Sequence, residues 1–108
     1  MRFLYINLTK EIIMRSYAKG RRIEYKAIEE LKNKHGCFLA WRTAGSHSPI
    51  DVFGVSKDRV YFIQIKVNRL SKRDVEKIKE LADKAPKNVV FGVWLYEDRK
   101  GFTKKISF

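Results

Sequence analysis

"IDVFGVSKDRVYFIQIKV", residues 50–67, decides the fold. Two runs rich in β-branched and aromatic residues, "IDVFGV" (50–55) and "VYFIQIKV" (60–67), flank "SKDR" (56–59), a connection short enough for a tight turn. The two runs therefore read as neighbouring strands of a hairpin. Alternation along the second run puts Tyr61, Ile63, Ile65 and Val67 on one apolar face, suited to packing on a helix. Val60, Phe62, Gln64 and Lys66 share the other face, which starts apolar and turns polar. If 51–55 pair with 60–66, Asp51 comes to lie beside that polar end.

Outward from the hairpin the pattern stays readable. Upstream, "AGSHSP" (44–49) is a loop of turn residues and "CFLAWRT" (37–43) a strand. Before it, "RRIEYKAIEELKNK" (21–34) repeats apolar residues at Ile23, Ala27, Ile28 and Leu31, the spacing of an amphipathic helix, which His35-Gly36 ends. Downstream, Ser71 and Asp74 form a capping-box pattern for a helix through Asp83, with Val75, Ile78, Leu81 and Ala82 as its core face and Pro86 beyond it. "NVVFGVWLY" (88–96) is a further strand, "EDRKG" (97–101) a turn, and "FTKKISF" (102–108) a terminal strand or arm. The order helix, three strands, helix, one or two strands specifies an α/β sandwich around a mixed central sheet. Residues 1–18 form an N-terminal extension to a domain over 19–108. Within the extension "FLYINL" (3–8) fits an added strand and "TKEIIMRSY" (9–17) a short helix, while Met14 offers an alternative start. Trp94 and Tyr96 exceed what one strand face needs, so they belong to the core or to an interface.

With 108 residues the chain has room for one core, and 44% hydrophobic residues suffice to build it. No apolar run approaches the roughly 20 residues of a membrane-spanning helix, and the N-terminus lacks a secretory apolar region, so no membrane partner and a cytoplasmic location are expected. A lone cysteine, Cys37, excludes an internal disulfide and a cysteine zinc site; following a glycine in an apolar run, it reads as a buried structural thiol. His35, at a helix end, reads as structural too. Charge is the stronger signal. The 24 Lys and Arg against 12 Asp and Glu give +12, and such an excess favours a polyanionic partner through phosphate neutralisation. The plainer alternative is the Lys-rich solvated surface of a heat-adapted protein.

Two positions break the local pattern, and such breaks are where function is sought. At about 100° per residue Glu24 falls inside the apolar stripe of its helix, where a carboxylate needs a counter-charge, a proton or a cation. An Arg or Lys partner is the plain reading. The second break is Gln64 with Lys66, beside Asp51. A carboxylate and an amide oxygen, with strand carbonyls such as that of Ile65, suit a hard divalent cation such as Mg²⁺. A lysine alongside stabilises phosphate charge or orients water. Glu24 would add a carboxylate if its helix packs across this sheet. In a basic protein this set points to phosphodiester hydrolysis, against the plain reading of an exposed Asp–Lys pair with Gln64 on the surface.

These residues resemble the PD-(D/E)xK nuclease superfamily, whose restriction-endonuclease-like fold has an α-β-β-β-α-β core, and within it the archaeal-type Holliday junction resolvases. "KGRRIE" (19–24) resembles the family's K-G-x-x-x-E opening, "WRTAGSHSPID" (41–51) its R-S-A-G-S…P-D segment, and "FIQIKV" (62–67) its I-E-V-K strand. The likeness implies Glu24, Asp51, Gln64 and the Ile65 backbone as metal site, Lys66 as catalytic lysine, and Ser46 at the family's catalytic serine position. It implies Mg²⁺, replaceable by Mn²⁺, with no small-molecule cofactor. It also implies a homodimer that binds branched DNA and nicks opposing strands of four-way junctions. Lys19, Arg21, Arg22, Arg42, Ser46, His47, Lys66, Arg69 and Lys72 are the expected DNA contacts. Two departures stand out. Gln64 occupies the position where resolvases carry glutamate, as in Mrr-type restriction nucleases or an inactivated site, and Thr43 replaces a serine. The alternatives are therefore a restriction- or repair-type nuclease of the same fold, or a non-catalytic DNA-binding relative.

Overall fold

The computed structural model describes residues 2–43 and 48–108, with side chains from residue 17 onward. Seven elements follow in order: α1 (Arg2–Lys34), β1 (Leu39–Arg42), β2 (Val52–Val55), β3 (Val60–Val67), α2 (Lys72–Asp83), β4 (Val89–Glu97) and β5 (Gly101–Ser107). The strands form one mixed sheet in the order β1-β2-β3-β4-β5. Neighbours are antiparallel except β3 and β4, which are parallel. A parallel pair needs a long return connection, and α2 supplies it.

The hairpin forms in the expected register, with Val52 opposite Ile63 and Val55 opposite Val60. The turn between is held by Ser56, whose hydroxyl accepts from the Arg59 N–H at 3.1 Å. α1 lays Ile23, Ala27, Ile28 and Leu31, all buried, on one face of the sheet. There Ala27, Ile28 and Leu31 meet Cys37, Ala40, Val52, Tyr61, Ile63 and Trp94. The approach is close. A Cβ on Gly54 would lie 2.8 Å from Cys37 Sγ and 3.2 Å from Leu31 Cδ1, so only glycine fits there. α1 ends as its pattern predicts: the Leu31 carbonyl accepts from the His35 and Cys37 N–H groups, and Gly36 turns the chain at φ 70°. On the opposite face α2 packs Ile78 with Ile50 and Val93, against Phe62, Leu70, Leu81 and Phe91. Its capping box is present, with Asp74 N–H donating to Ser71 Oγ at 3.2 Å and Ser71 N–H to Asp74 Oδ2 at 3.1 Å.

The N-terminal segment departs from the expected strand and short helix. Residues 2–20 are helical and continue into 21–34 without a break. Nothing before Gly20 interrupts helix propensity, since the segment holds no proline and no earlier glycine. A short apolar run such as "FLYINL" is ambiguous between strand and helix by periodicity alone. The terminal segment 102–108, left open as strand or arm, pairs with β4 as β5. Trp94 and Tyr96 are buried, so both belong to the core. Cys37 is buried, and His35 packs against the Tyr61 and Trp94 rings, as structural roles require.

Candidate active site

The site grows from a fork in the sheet. β2 pairs with β3 only as far as Val52 opposite Ile63, while β3 runs on to Val67. Past the fork, β3 has backbone groups that β2 no longer reaches. Asp51, one residue before β2, takes that place. Its own N–H donates to the Ile63 carbonyl at 2.9 Å, and its Oδ2 accepts the Ile65 N–H at 2.7 Å. The carboxylate thus substitutes for a strand and is fixed on the backbone. Burial pushes the Asp51 carboxyl above its ordinary pKa; the Ile65 N–H opposes that rise, the nearby Glu24 charge adds to it, and Lys66 opposes it.

Glu24 reaches the same fork from α1. Together Gly20, Ile23, Glu24, Asp51, Ile65 and Val67 line a cleft of about 120 Å³. The counter-charge expected for Glu24 is Arg42 at the end of β1, whose Nε lies 3.3 Å from Oε2. The Arg42 guanidinium also lies over the Tyr25 ring, 5.6 Å from its centroid. Thr43, at the position where the resemblance leads one to expect a serine, donates its hydroxyl to the Ile50 carbonyl. That bond ties together the two ends of the loop before Asp51.

Gln64 and Lys66 sit on the other side. Alternation places them with Phe62 on the α2 face, whereas α1 and Glu24 cover the Ile63 and Ile65 face. The four polar side chains therefore do not share one face; they converge on the β3 edge from both. Lys66 is paired with Asp74 of α2 at 3.4 Å and still lowers the Asp51 carboxyl pKa electrostatically. Gln64 Oε1 is buried and, among the described residues, accepts no hydrogen bond. An unsatisfied buried acceptor is costly and calls for an explanation.

Of the expected DNA contacts, Arg21, Arg22, Arg69 and Lys72 are exposed, and Lys19 pairs with Asp98 at 2.7 Å. Ser46 and His47 lie outside the described residues. Sequence reasoning missed Asp74 as the partner of Lys66. Its only signal was the capping box, which fixes where the carboxylate starts the helix and says nothing of which strand it meets. Tyr25, one position beyond Glu24, was missed as the ring beneath Arg42.

No protein-family model and no curated protein matches the chain. Among solved structures it is similar to Hjc of Archaeoglobus fulgidus, a Holliday junction resolvase from an archaeal hyperthermophile, with a TM-score of 0.52 and 27% identity. That match covers 81% of this chain and 72% of the other. The mixed five-stranded sheet between two helices is thus the nuclease-like α/β fold of an archaeal Holliday junction resolvase, and the likeness supports a nuclease of that family.

Proposed function

We propose that the chain is a metal-dependent endonuclease that acts as a homodimer and resolves four-way DNA junctions by paired nicks. The observation that carries this reading is the Asp51 carboxylate held on the Ile65 N–H at the fork, with Glu24 in the same cleft and Lys66 in electrostatic range. A hard divalent cation fits the donors. They are all oxygens, two carboxylates crowd one cleft, and the Gln64 amide oxygen has no protein donor among the described residues. Asp51, Glu24, Gln64 and the Ile65 backbone would hold Mg²⁺ or Mn²⁺. No group of three or more His, Cys, Asp or Glu side chains suited to a metal occurs among the described residues, so binding would rest on two carboxylates and neutral oxygens. When bound, such a cation supplies Lewis acidity to a phosphate oxygen and to water.

The chain's own groups do the rest. The Ile65 N–H keeps the Asp51 carboxylate aimed along the β3 edge, so no reorganisation is needed when substrate arrives. Lys66 holds its proton at Nζ and donates to the phosphate, with Asp74 as its resting partner. Arg42 balances Glu24 and offers its remaining N–H groups to the DNA backbone. Lys19, Arg21, Arg22, Arg69 and Lys72 would hold junction arms without reading bases.

One assay tests the proposal. Labelled four-way junction, flap, linear duplex and single strand of matched sequence are incubated with Mg²⁺ or Mn²⁺. Symmetric nicks confined to the junction are the expected result, and Asp51→Asn or Lys66→Ala should reduce them by about 100-fold or more. Cutting of linear duplex would instead favour a restriction-type enzyme. Because Gln64 is neutral, a binding protein without activity is the second reading; junction binding without cleavage in any metal, restored by Gln64→Glu, would establish it.

A further inference from the structure

Lys19, Asn68 and Asp98 meet beside the cleft, each arriving from a different part of the chain. Lys19 stands in α1 one residue before Gly20, Asn68 follows the last residue of β3, and Asp98 follows the last residue of β4. Lys19 Nζ lies 2.7 Å from Asp98 Oδ1 and donates to Oδ2 at 2.9 Å. Asn68 and Asp98 bond reciprocally: Asn68 Nδ2 donates to Asp98 Oδ2, and the Asp98 N–H donates to Asn68 Oδ1, both at 2.8 Å. The Asn68 backbone turns at φ 61°, and its own N–H donates to the Tyr96 carbonyl at 2.8 Å. Asparagine meets both demands, since it tolerates the left-handed conformation and carries a donor and an acceptor. Lys19, then Asn68, hold the Asp98 carboxyl below its ordinary pKa.

We propose that this three-residue tie positions the metal site by setting the gap between Glu24 and Asp51. The inference rests on the metal-dependent reading above and extends it to residues outside the cleft. The two carboxylates belong to different walls. Asp51 is fixed on β3 through the Ile65 N–H, whereas Glu24 rides on α1. Gly20 and Val67 line the same cleft, and they are the chain neighbours of Lys19 and Asn68. The tie therefore joins the α1 wall to the β3 wall, one residue from the cleft on each side. Past Glu24, α1 is seated instead by Ala27, Ile28 and Leu31, buried against the sheet. A small divalent cation tolerates little error in ligand distance, so loosening one wall weakens binding although every ligand is still present. An isolated surface ion pair holds little, but this carboxylate is gripped from two elements at once. An ammonium has three donors, so Lys19 can hold Asp98 and still meet a DNA phosphate.

The test is Mn²⁺ binding to the full chain without DNA, read from the loss of the free-ion paramagnetic resonance signal. Three variants break the tie with different changes of charge. Lys19→Met removes a cation, Asp98→Ala removes an anion, and Asn68→Gly removes neither while keeping the backbone turn. Each should weaken Mn²⁺ binding by about tenfold or more, the usual loss when a group supporting the ligands is removed. Lys19→Arg, which keeps charge and reach, should restore most of the affinity. Circular dichroism melts establish that each variant is folded at the titration temperature. Wild-type affinity in any of the three would overturn the inference. So would the pattern of charge alone, in which Lys19→Met tightens binding, Asp98→Ala weakens it and Asn68→Gly leaves it unchanged. In either case loss of Mn²⁺ binding in Asp51→Asn would leave the metal-site reading standing. Absence of Mn²⁺ binding by the wild type would overturn both that reading and the tie.

Discussion

Asp51 is held at a cost that a proton or a cation relieves. Burial and the like charge of Glu24 raise its pKa in the fold above the ordinary aspartate value. The folded chain therefore binds that proton more tightly than the unfolded chain. Its stability falls as pH rises from the unfolded pKa through the folded one, and stays lowered above both. Asp51→Asn removes that loss and keeps an oxygen for the Ile65 N–H. In EDTA the variant should melt higher than wild type at pH 7, with the difference vanishing below about pH 4; equal melting temperatures at pH 7 would count against a strained carboxylate. Gln64→Glu should move the other way. A third carboxylate at the fork adds repulsion without metal and strengthens the site with it. Thermal melts should show a lower midpoint in EDTA, and Mg²⁺ titration a half-saturating concentration lower by roughly tenfold or more.

At the scale of elements, α1 meets the site with residues of its interior and α2 with its first turn. Gly20 lies in α1 where a Cβ would meet nothing within 4 Å, yet the residue lines the cleft. Gly20→Ala should raise stability by about 1 kcal/mol, because glycine is a poor helix interior, while the added methyl narrows the approach to Glu24. Denaturant unfolding alongside junction cleavage separates the two effects; a variant gaining in both would show that the glycine has no part in access. Ser71→Ala removes the α2 cap and should cost about 1 kcal/mol. It also loosens Asp74, the partner of Lys66. The elements that sequence revealed were those fixed by neighbours in the chain. The hairpin at 50–67, the Ser71–Asp74 box and the Gly36 stop are all local signals. The Lys66–Asp74 and Glu24–Arg42 pairs depend on where the crossover helix lands and on β1 reaching α1, which no spacing encodes. The helical course of residues 2–20 was hidden for the opposite reason, because a six-residue apolar run supports two structures equally. Asp51 with Lys66 was legible as a pair, but their arrival from opposite sides of the β3 edge was not.

Across the whole molecule, charge decides how DNA would be held. Of the 24 Lys and Arg, Lys19, Lys34, Arg42, Lys66, Lys100 and Lys105 form ion pairs among the described residues. Arg21, Arg22, Arg69 and Lys72 are exposed and form none of these pairs. A surface with that surplus binds a polyanion chiefly by releasing its counterions, so affinity must fall as salt competes. If six to ten phosphates are engaged, junction affinity should drop by about 10³–10⁵ between 50 and 200 mM salt. The paired and unpaired cations separate in this experiment. Arg22→Ala should lower the salt slope by about one unit, since an exposed cation contributes one phosphate contact. An affinity flat in salt would mean that the +12 charge serves solubility and that the fold's likeness to a resolvase does not extend to its ligand.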